Sequence, residues 1–272
     1  MARAFQILSR GTKSLVLTLA VPGLAAGLSG SAQAAANGAF LSHQALYELS
    51  LLKSRGSNSI SSARGRILYR FTGSACEGYT SEFRQVSEMD NGENKVTLSD
   101  LRSTSWEDAA GKTYRFKIDS RMNDVDTGPI DGIAERVGDH ITVKLKQPQT
   151  KTFNLDGSTV FPTEQIQHII AAAKEGKSIL EQTVYDGSDN GEKVFSTLAV
   201  IGQPIHGDQT IASPDPSTEN DVMKSATRWP VTVSYYDHDA KPEEGEQTPL
   251  YAMSFELFEN RSEERRVGKE CA

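Results

Sequence analysis

The chain has 272 residues, with 29 basic and 36 acidic side chains, a net charge of −7 and a hydrophobic share of 37%. That length and apolar content allow one large or two small domains with a sizeable core. The acidic balance excludes a nucleic-acid binder, which would show a basic stripe, and gives no attraction to anionic lipid headgroups.

The first predicted element is an export signal over residues 1–34. Arg3, Arg10 and Lys13 form a positive n-region, and Leu15 to Leu28 is apolar apart from Thr18, with Pro22 and Gly23 inside it. Ser31-Ala32-Gln33-Ala34 ends in the small-x-small pattern that signal peptidase accepts, so cleavage is expected after Ala34, with Ala36 as second choice. No cysteine follows the apolar run, which argues against a lipid-anchored form, and Arg10-Gly11-Thr12-Lys13 lacks a twin arginine, which favours the Sec route. The short n- and h-regions are of bacterial type, so the expected compartment is the periplasm. No later apolar run is long enough to span a membrane.

The other end is anomalous. Arg261 to Cys271, RSEERRVGKEC, resembles the in-frame translation of a sequencing adapter, so residues 261–272 are expected not to belong to the evolved protein. Without the leader and this tail, the body 35–260 carries a net charge of about −11.

The body opens on a strand candidate at His43 to Lys53, in which Tyr47, Leu49 and Leu51 alternate with Glu48, Ser50 and Leu52. Ser54 to Asn58 is a turn cluster. Ser62 to Thr80, SARGRILYRFTGSACEGYT, then holds a strand with Ile67, Tyr69 and Phe71 on one face, a turn, and Cys76. Further strands are predicted at Tyr79–Glu88, Lys95–Trp106 and Thr113–Arg121, followed by a looser segment at Asp126–Arg136. Two more follow at His140–Lys146 and Lys151–Leu155. Asn91-Gly92, Ala110-Gly111 and Gly138-Asp139 accept the positive φ of tight hairpins, so consecutive strands should be antiparallel neighbours.

One helix stands out. Pro162 suits a first turn, and Ile166, Ile169, Ile170 and Ala173 fall at i, i+3, i+4 and i+7, an apolar stripe expected to pack on the sheet. Lys174 and Lys177 favour the negative end of the dipole, and Gly176 is a natural cap. Strands resume at Ser178–Tyr185 and Lys193–Ile201 around the loop Asp186 to Gly191. A proline-rich excursion runs from Gly202 to Asp221, and Thr227–Tyr236 and Tyr251–Glu259 form a last hairpin around the acidic stretch Asp237 to Thr248. About a dozen strands at this spacing read as an all-β sandwich or barrel.

Motifs of chemistry are sparse. The histidines His43, His140, His168, His206 and His238 show no zinc-ligand spacing, and no metal or cofactor motif is present. His238 between Asp237 and Asp239 reads as a solvated hairpin tip. Asp186, Asp189 and Asn190 mimic part of a calcium loop but lack its completing glutamate. No Gly-x-Ser-x-Gly elbow accompanies Ser74, and exported cysteines tend to be oxidised, which favours a disulfide over a catalytic thiol at Cys76.

The stretch SARGRILYRFTGSACEGYT, with SEFRQ, LSDLRSTSWED and GKTYRFKIDSRMN after it, resembles the EipB-like cell-envelope integrity proteins of alphaproteobacteria. The likeness runs from about Ala39 to Asn260 and includes DGIAERVG, the helix FPTEQIQHIIAAAKEGK and the hairpin VYDGSDNGEKVFST. It implies a periplasmic, mainly β protein: one large, antiparallel, strongly curved open barrel or β-spiral of about 12–14 strands with one amphipathic helix packed on it. It also implies a role in envelope integrity under stress, no catalytic activity, and a disulfide from Cys76 to a cysteine near the family's C-terminus. Cys271 lies in the adapter-like tail and is not expected to be that partner. The expected partner is a periplasmic or envelope protein, or an apolar ligand held on the curved sheet. The alternative is a lipid or lipoprotein carrier of the Lol-like half-barrel type, which needs a contiguous apolar lining.

Overall fold

The computed structural model describes residues 40–54, 60–92, 96–207, 221–240, 248–259 and 263–264. The expected signal peptide with Ala34 lies outside the described residues, as do Cys271 and all of the tail but Glu263 and Glu264. The first strands are β1 (His43–Ser50), β2 (Ser62–Ser74), β3 (Gly78–Asp90), β4 (Val96–Glu107) and β5 (Thr113–Met122). A two-residue β6 (Val125–Asp126) folds back on β5 before β7 (Ile130–Val137), β8 (His140–Gln147) and β9 (Lys151–Asp156). These nine form one antiparallel sheet, ordered β1-β2-β3-β4-β5-β7-β8-β9 with β6 beside β5.

Helix α1 (Pro162–Lys174) interrupts the ladder and leads into a second antiparallel sheet. Its strands are β10 (Ile179–Val184), β11 (Phe195–Ile201), β12 (Arg228–Asp237), β13 (Tyr251–Phe258) and β14 (Glu263–Glu264). A single turn of helix, α2 (Asp221–Lys224), precedes β12. The two sheets meet at a parallel bridge between Val160 and Val184, where Val160 N–H donates to Thr183 at 2.8 Å and Tyr185 N–H to Val160 at 3.0 Å. The open, curved, mainly antiparallel architecture thus matches the expectation. The loose segment before Arg136 resolves into β6 and β7.

Strict alternation of burial along β1 and most of β2 gives the first sheet a solvated convex face and a sheltered concave one. Gly65 lets β2 and β3 approach closely: a Cβ there would stand 2.9 Å from Ser87 Cα, closer than any other residue permits. On the convex face, Arg64–Glu88, Arg70–Glu82 and Arg84–Asp100 pair across strands, and Arg102 joins Asp100 from two residues along β4. They are exposed, and such pairs contribute about 0–1 kcal/mol each.

Two core clusters hold the sheets together. In the first, Ile169, Ile170, Ala172 and Ala173 of α1 pack with β11–β13 and with Phe40, Phe71 and Tyr79 from the start of the first sheet. The second gathers Phe116, Ala134, Ile141 and Val143 around Phe161 and Tyr185. The apolar stripe therefore buries against the sheets, Ile169 and Ile170 each contributing about 1.5–3 kcal/mol by removal from water.

The helix ends explain its position. Gly176 N–H donates to Ala173 and Lys177 N–H to Ala172, the paired bonds of a Schellman cap, with Gly176 at φ +74°. At the N-terminus the cap residue is Phe161, whose side chain accepts nothing. Glu107 of β4 supplies the acceptors instead: its carboxylate takes the N–H groups of Thr163 at 2.7 Å and Glu164 at 2.9 Å. Arg136 of β7 ties the same corner, donating to the carbonyls of Gly111, Gly157 and Thr159 and to Glu164 Oε2 at 2.9 Å. Glu107 and Arg136 so fasten the first turn of α1 to the first sheet.

Candidate functional site

Between the concave wall of the first sheet, α1 and the second sheet lies a cavity of about 810 Å³. That is within the range of about 300–1,000 Å³ typical of small-molecule sites. Register fixes its wall. One cross-strand row reads Phe71–Ser81–Ser105–Phe116, the next Tyr69–Phe83–Ser103–Ile118, and the third Ile67–Gln85–Leu101–Ser120. All but Phe116 line the cavity. The opposite side is Val233, Tyr235, Tyr251, Met253 and Phe255 from β12 and β13, with Ile166 and Gln165 from α1.

Aromatic rings gather in two groups. Phe40 meets Phe71 and Tyr79 edge-on, with centroids 5.2 and 5.0 Å apart, and Tyr235 stacks on Tyr251 at 4.5 Å. His43 of β1 lies between 5.7 Å neighbours Tyr69 and Phe71. Beside the Tyr235–Tyr251 pair the β10–β11 loop folds in, with Phe195 at its close 5.8 Å from Tyr235. Tyr185 donates from its hydroxyl to the Gly191 carbonyl at 2.6 Å, and Tyr114 to the Asp186 carbonyl at 3.0 Å. Burial pushes the Asp186 carboxyl above its ordinary range, partly offset by the Ser188 hydroxyl and N–H. Burial, then the Asp186 charge, pushes the Tyr114 phenol well up. These lining groups can bind by apolar contact and hydrogen bonding.

The residues singled out from sequence fall in several places. Cys76 is exposed and unbridged among the described residues, in the β2–β3 turn. That turn is held by Trp106 Nε1, which donates to the Glu77 carbonyl at 3.1 Å, and by Glu77 N–H on Ser74. Asp186 accepts from Ser188 N–H and Asn190 from Glu192 N–H, so both side chains shape their own loop. Among the described residues no group of three potential ligands is placed to hold a metal. His238 sits at the hairpin tip, its Nδ1 2.9 Å from Ser196 Oγ on the outer face of β11, while Asp237 is taken by Lys193 at 3.0 Å. The lining serines and Glu107 were not singled out from the sequence; the signal for them is the inward parity of β3–β5, read only once the register is known.

Fold and site together define an open, barrel-like antiparallel β-protein with a cavity inside its curve. Among the described residues no helix is long and apolar enough to cross a membrane. The EipB-like family model matches residues 34–261, and the chain belongs to that family. It is 34% identical over 238 residues to the cell envelope integrity protein EipB of Brucella abortus, covering 86% of this chain and 81% of that protein. A crystal structure of a β-barrel-like protein from Brucella abortus superposes with a TM-score of 0.73 at 31% identity, over 82% of this chain and 89% of that one.

Proposed function

We propose that the protein supports cell-envelope integrity from the periplasm as a non-enzymatic binder, taking its ligand or a segment of an envelope partner into the cavity of the curved sheet. The cavity is the observation that carries this reading: a volume of about 810 Å³ walled by three registered rows from β2–β5. The 34% identity to a protein named for envelope integrity supports the setting, and the leader predicted over residues 1–34 supports the compartment. A Lol-like carrier of bare acyl chains fits less well, since Ser81, Ser103 and Ser105 interrupt the apolar lining such a carrier needs. The test is complementation of a deletion strain under detergent stress. Ser103→Trp puts an indole across the middle row of the wall and obstructs the cavity, and a variant that is exported and folded should leave the strain sensitive. Full rescue by that variant would sink the proposal.

Cys76 belongs to the same proposal as a structural thiol. Its exposed turn leaves it open to a second cysteine, and a disulfide would contribute about 2–5 kcal/mol. Protein recovered from the envelope should resist alkylation at Cys76 until it is reduced, and Cys76→Ser should complement with lowered stability. Free alkylation at Cys76 without reductant would rule the bridge out.

A further inference from the structure

We infer that the ligand of this cavity is an uncharged glycosylated amphiphile, with one apolar chain and a saccharide head. This rests on the cavity-binding reading and narrows it to a chemical class. The wall is a checkerboard. In each row of the first sheet a hydroxyl or amide stands beside a ring or an aliphatic side chain: Ser81 and Ser105 between Phe71 and Phe116, Ser103 between Phe83 and Ile118, Gln85 between Ile67 and Leu101. A bare chain laid on that surface would displace water from these polar groups and return no hydrogen bond, which disfavours it. A sugar ring matches both colours, its C–H face against the rings and its hydroxyls toward the serines and Gln85. The facing strip of Val233, Met253 and Phe255 provides for the chain.

A second observation points the same way. His43 lines the cavity, and its Nδ1 lies 2.8 Å from the Leu41 carbonyl. A carbonyl only accepts, so Nδ1 carries the proton, which leaves Nε2 as the ring's remaining hydrogen-bonding atom. That Nε2 is buried and has no hydrogen-bond partner among the described residues, and a ligand hydroxyl, which both donates and accepts, is the partner it lacks. Charge selects the head. Among the lining residues the carboxyl and ammonium side chains are Asp186, Asp189 and Lys193, and Lys193 is occupied by Asp237 at 3.0 Å and Asp189 at 3.8 Å. An anionic carboxylate or phosphate head would find no lysine or arginine there that is not already paired, whereas a neutral sugar needs none.

Calorimetric titration of the full chain decides the matter, using octyl glucoside, 1-octanol and octanoate, each below its aggregation threshold. We expect octyl glucoside to bind about tenfold or more tightly than either of the others, as a site built for hydroxyls discriminates. Ser103→Ala/Ser105→Ala, checked by circular dichroism for native fold, should erase most of that preference and bind 1-octanol at least as well as the wild type, and His43→Phe, checked in the same way, should weaken the glucoside. If octanol or octanoate binds as well as the glucoside, the ligand class is wrong while cavity binding stands. If none of the three binds, the cavity reading falls and this inference with it.

Discussion

Replacing Glu107 tests how the cavity is held in shape. Its carboxylate is buried in β4 and accepts from two N–H groups at the start of α1, where Phe161 offers no acceptor. Glu107→Ala leaves two buried donors unsatisfied at about 1–3 kcal/mol each, so the loss should be about 3–4 kcal/mol. Glu107→Gln keeps an acceptor oxygen and should cost about 1 kcal/mol. The pH profile separates this cap from simple packing. Burial pushes the Glu107 carboxyl up to about 7, against the pull of the Thr163 and Glu164 N–H groups. A raised carboxyl favours the fold while it stays protonated. Below about pH 4.5 the benefit is complete, and it is lost as pH rises to about 7, because the unfolded chain releases the proton first. At about 1.4 kcal/mol per unit, the decline over that window is about 3 kcal/mol. Denaturant titrations of the wild type from pH 4.5 to 8 should show it, and Glu107→Gln should flatten it. An unchanged slope in the glutamine variant would refute the assignment.

Other substitutions probe other parts of the fold. Ile169→Ala, at a position with no exposure, should lower stability by about 2–5 kcal/mol in denaturant titrations, and a loss below 1 kcal/mol would show that α1 is not part of the core. Gly187 sits at φ +70° with the Phe116 ring where a Cβ would go, so Gly187→Ala should cost about 2–4 kcal/mol and loosen the cavity's loop end, seen as a lowered Tm. The Arg84 guanidinium, then Arg102, holds the Asp100 carboxyl down to about 2. Its contribution is present above the ordinary carboxylate range and is lost as pH falls toward 2. The group lies at the solvated face, so Asp100→Asn should cost under about 1 kcal/mol at pH 7 by the same titration and nothing near pH 2.

Much of this architecture could be read from the chain. Ile67, Tyr69 and Phe71 alternate as a half-buried strand must, and all three line the cavity. Gly92, Gly111 and Gly138 stand at φ +80°, +64° and +63° in the hairpin connections where their neighbours predicted turns. The helix kept its stripe, its Pro162 start and its Gly176 stop. What stayed hidden depends on long-range register. In β4, Ser103 and Ser105 alternate with Arg102, Thr104 and Trp106, so parity shows little hydrophobic contrast and the inward face is not marked. Only pairing with Phe83 and Ile118 reveals it. Glu107 looked like one more acid at a strand end, because the amides it caps are more than fifty residues away. Sequence patterns within a strand or helix report local periodicity; they do not report which distant N–H group lacks an acceptor.

The most direct measurement is native mass spectrometry of the protein released gently from the envelope, wild type beside Ser103→Trp. The wild type should carry a bound small molecule whose mass includes a sugar unit, and the obstructed variant should carry little or none. A wild-type protein that emerges bare, or two identical spectra, would contradict a ligand-binding role for the curved sheet.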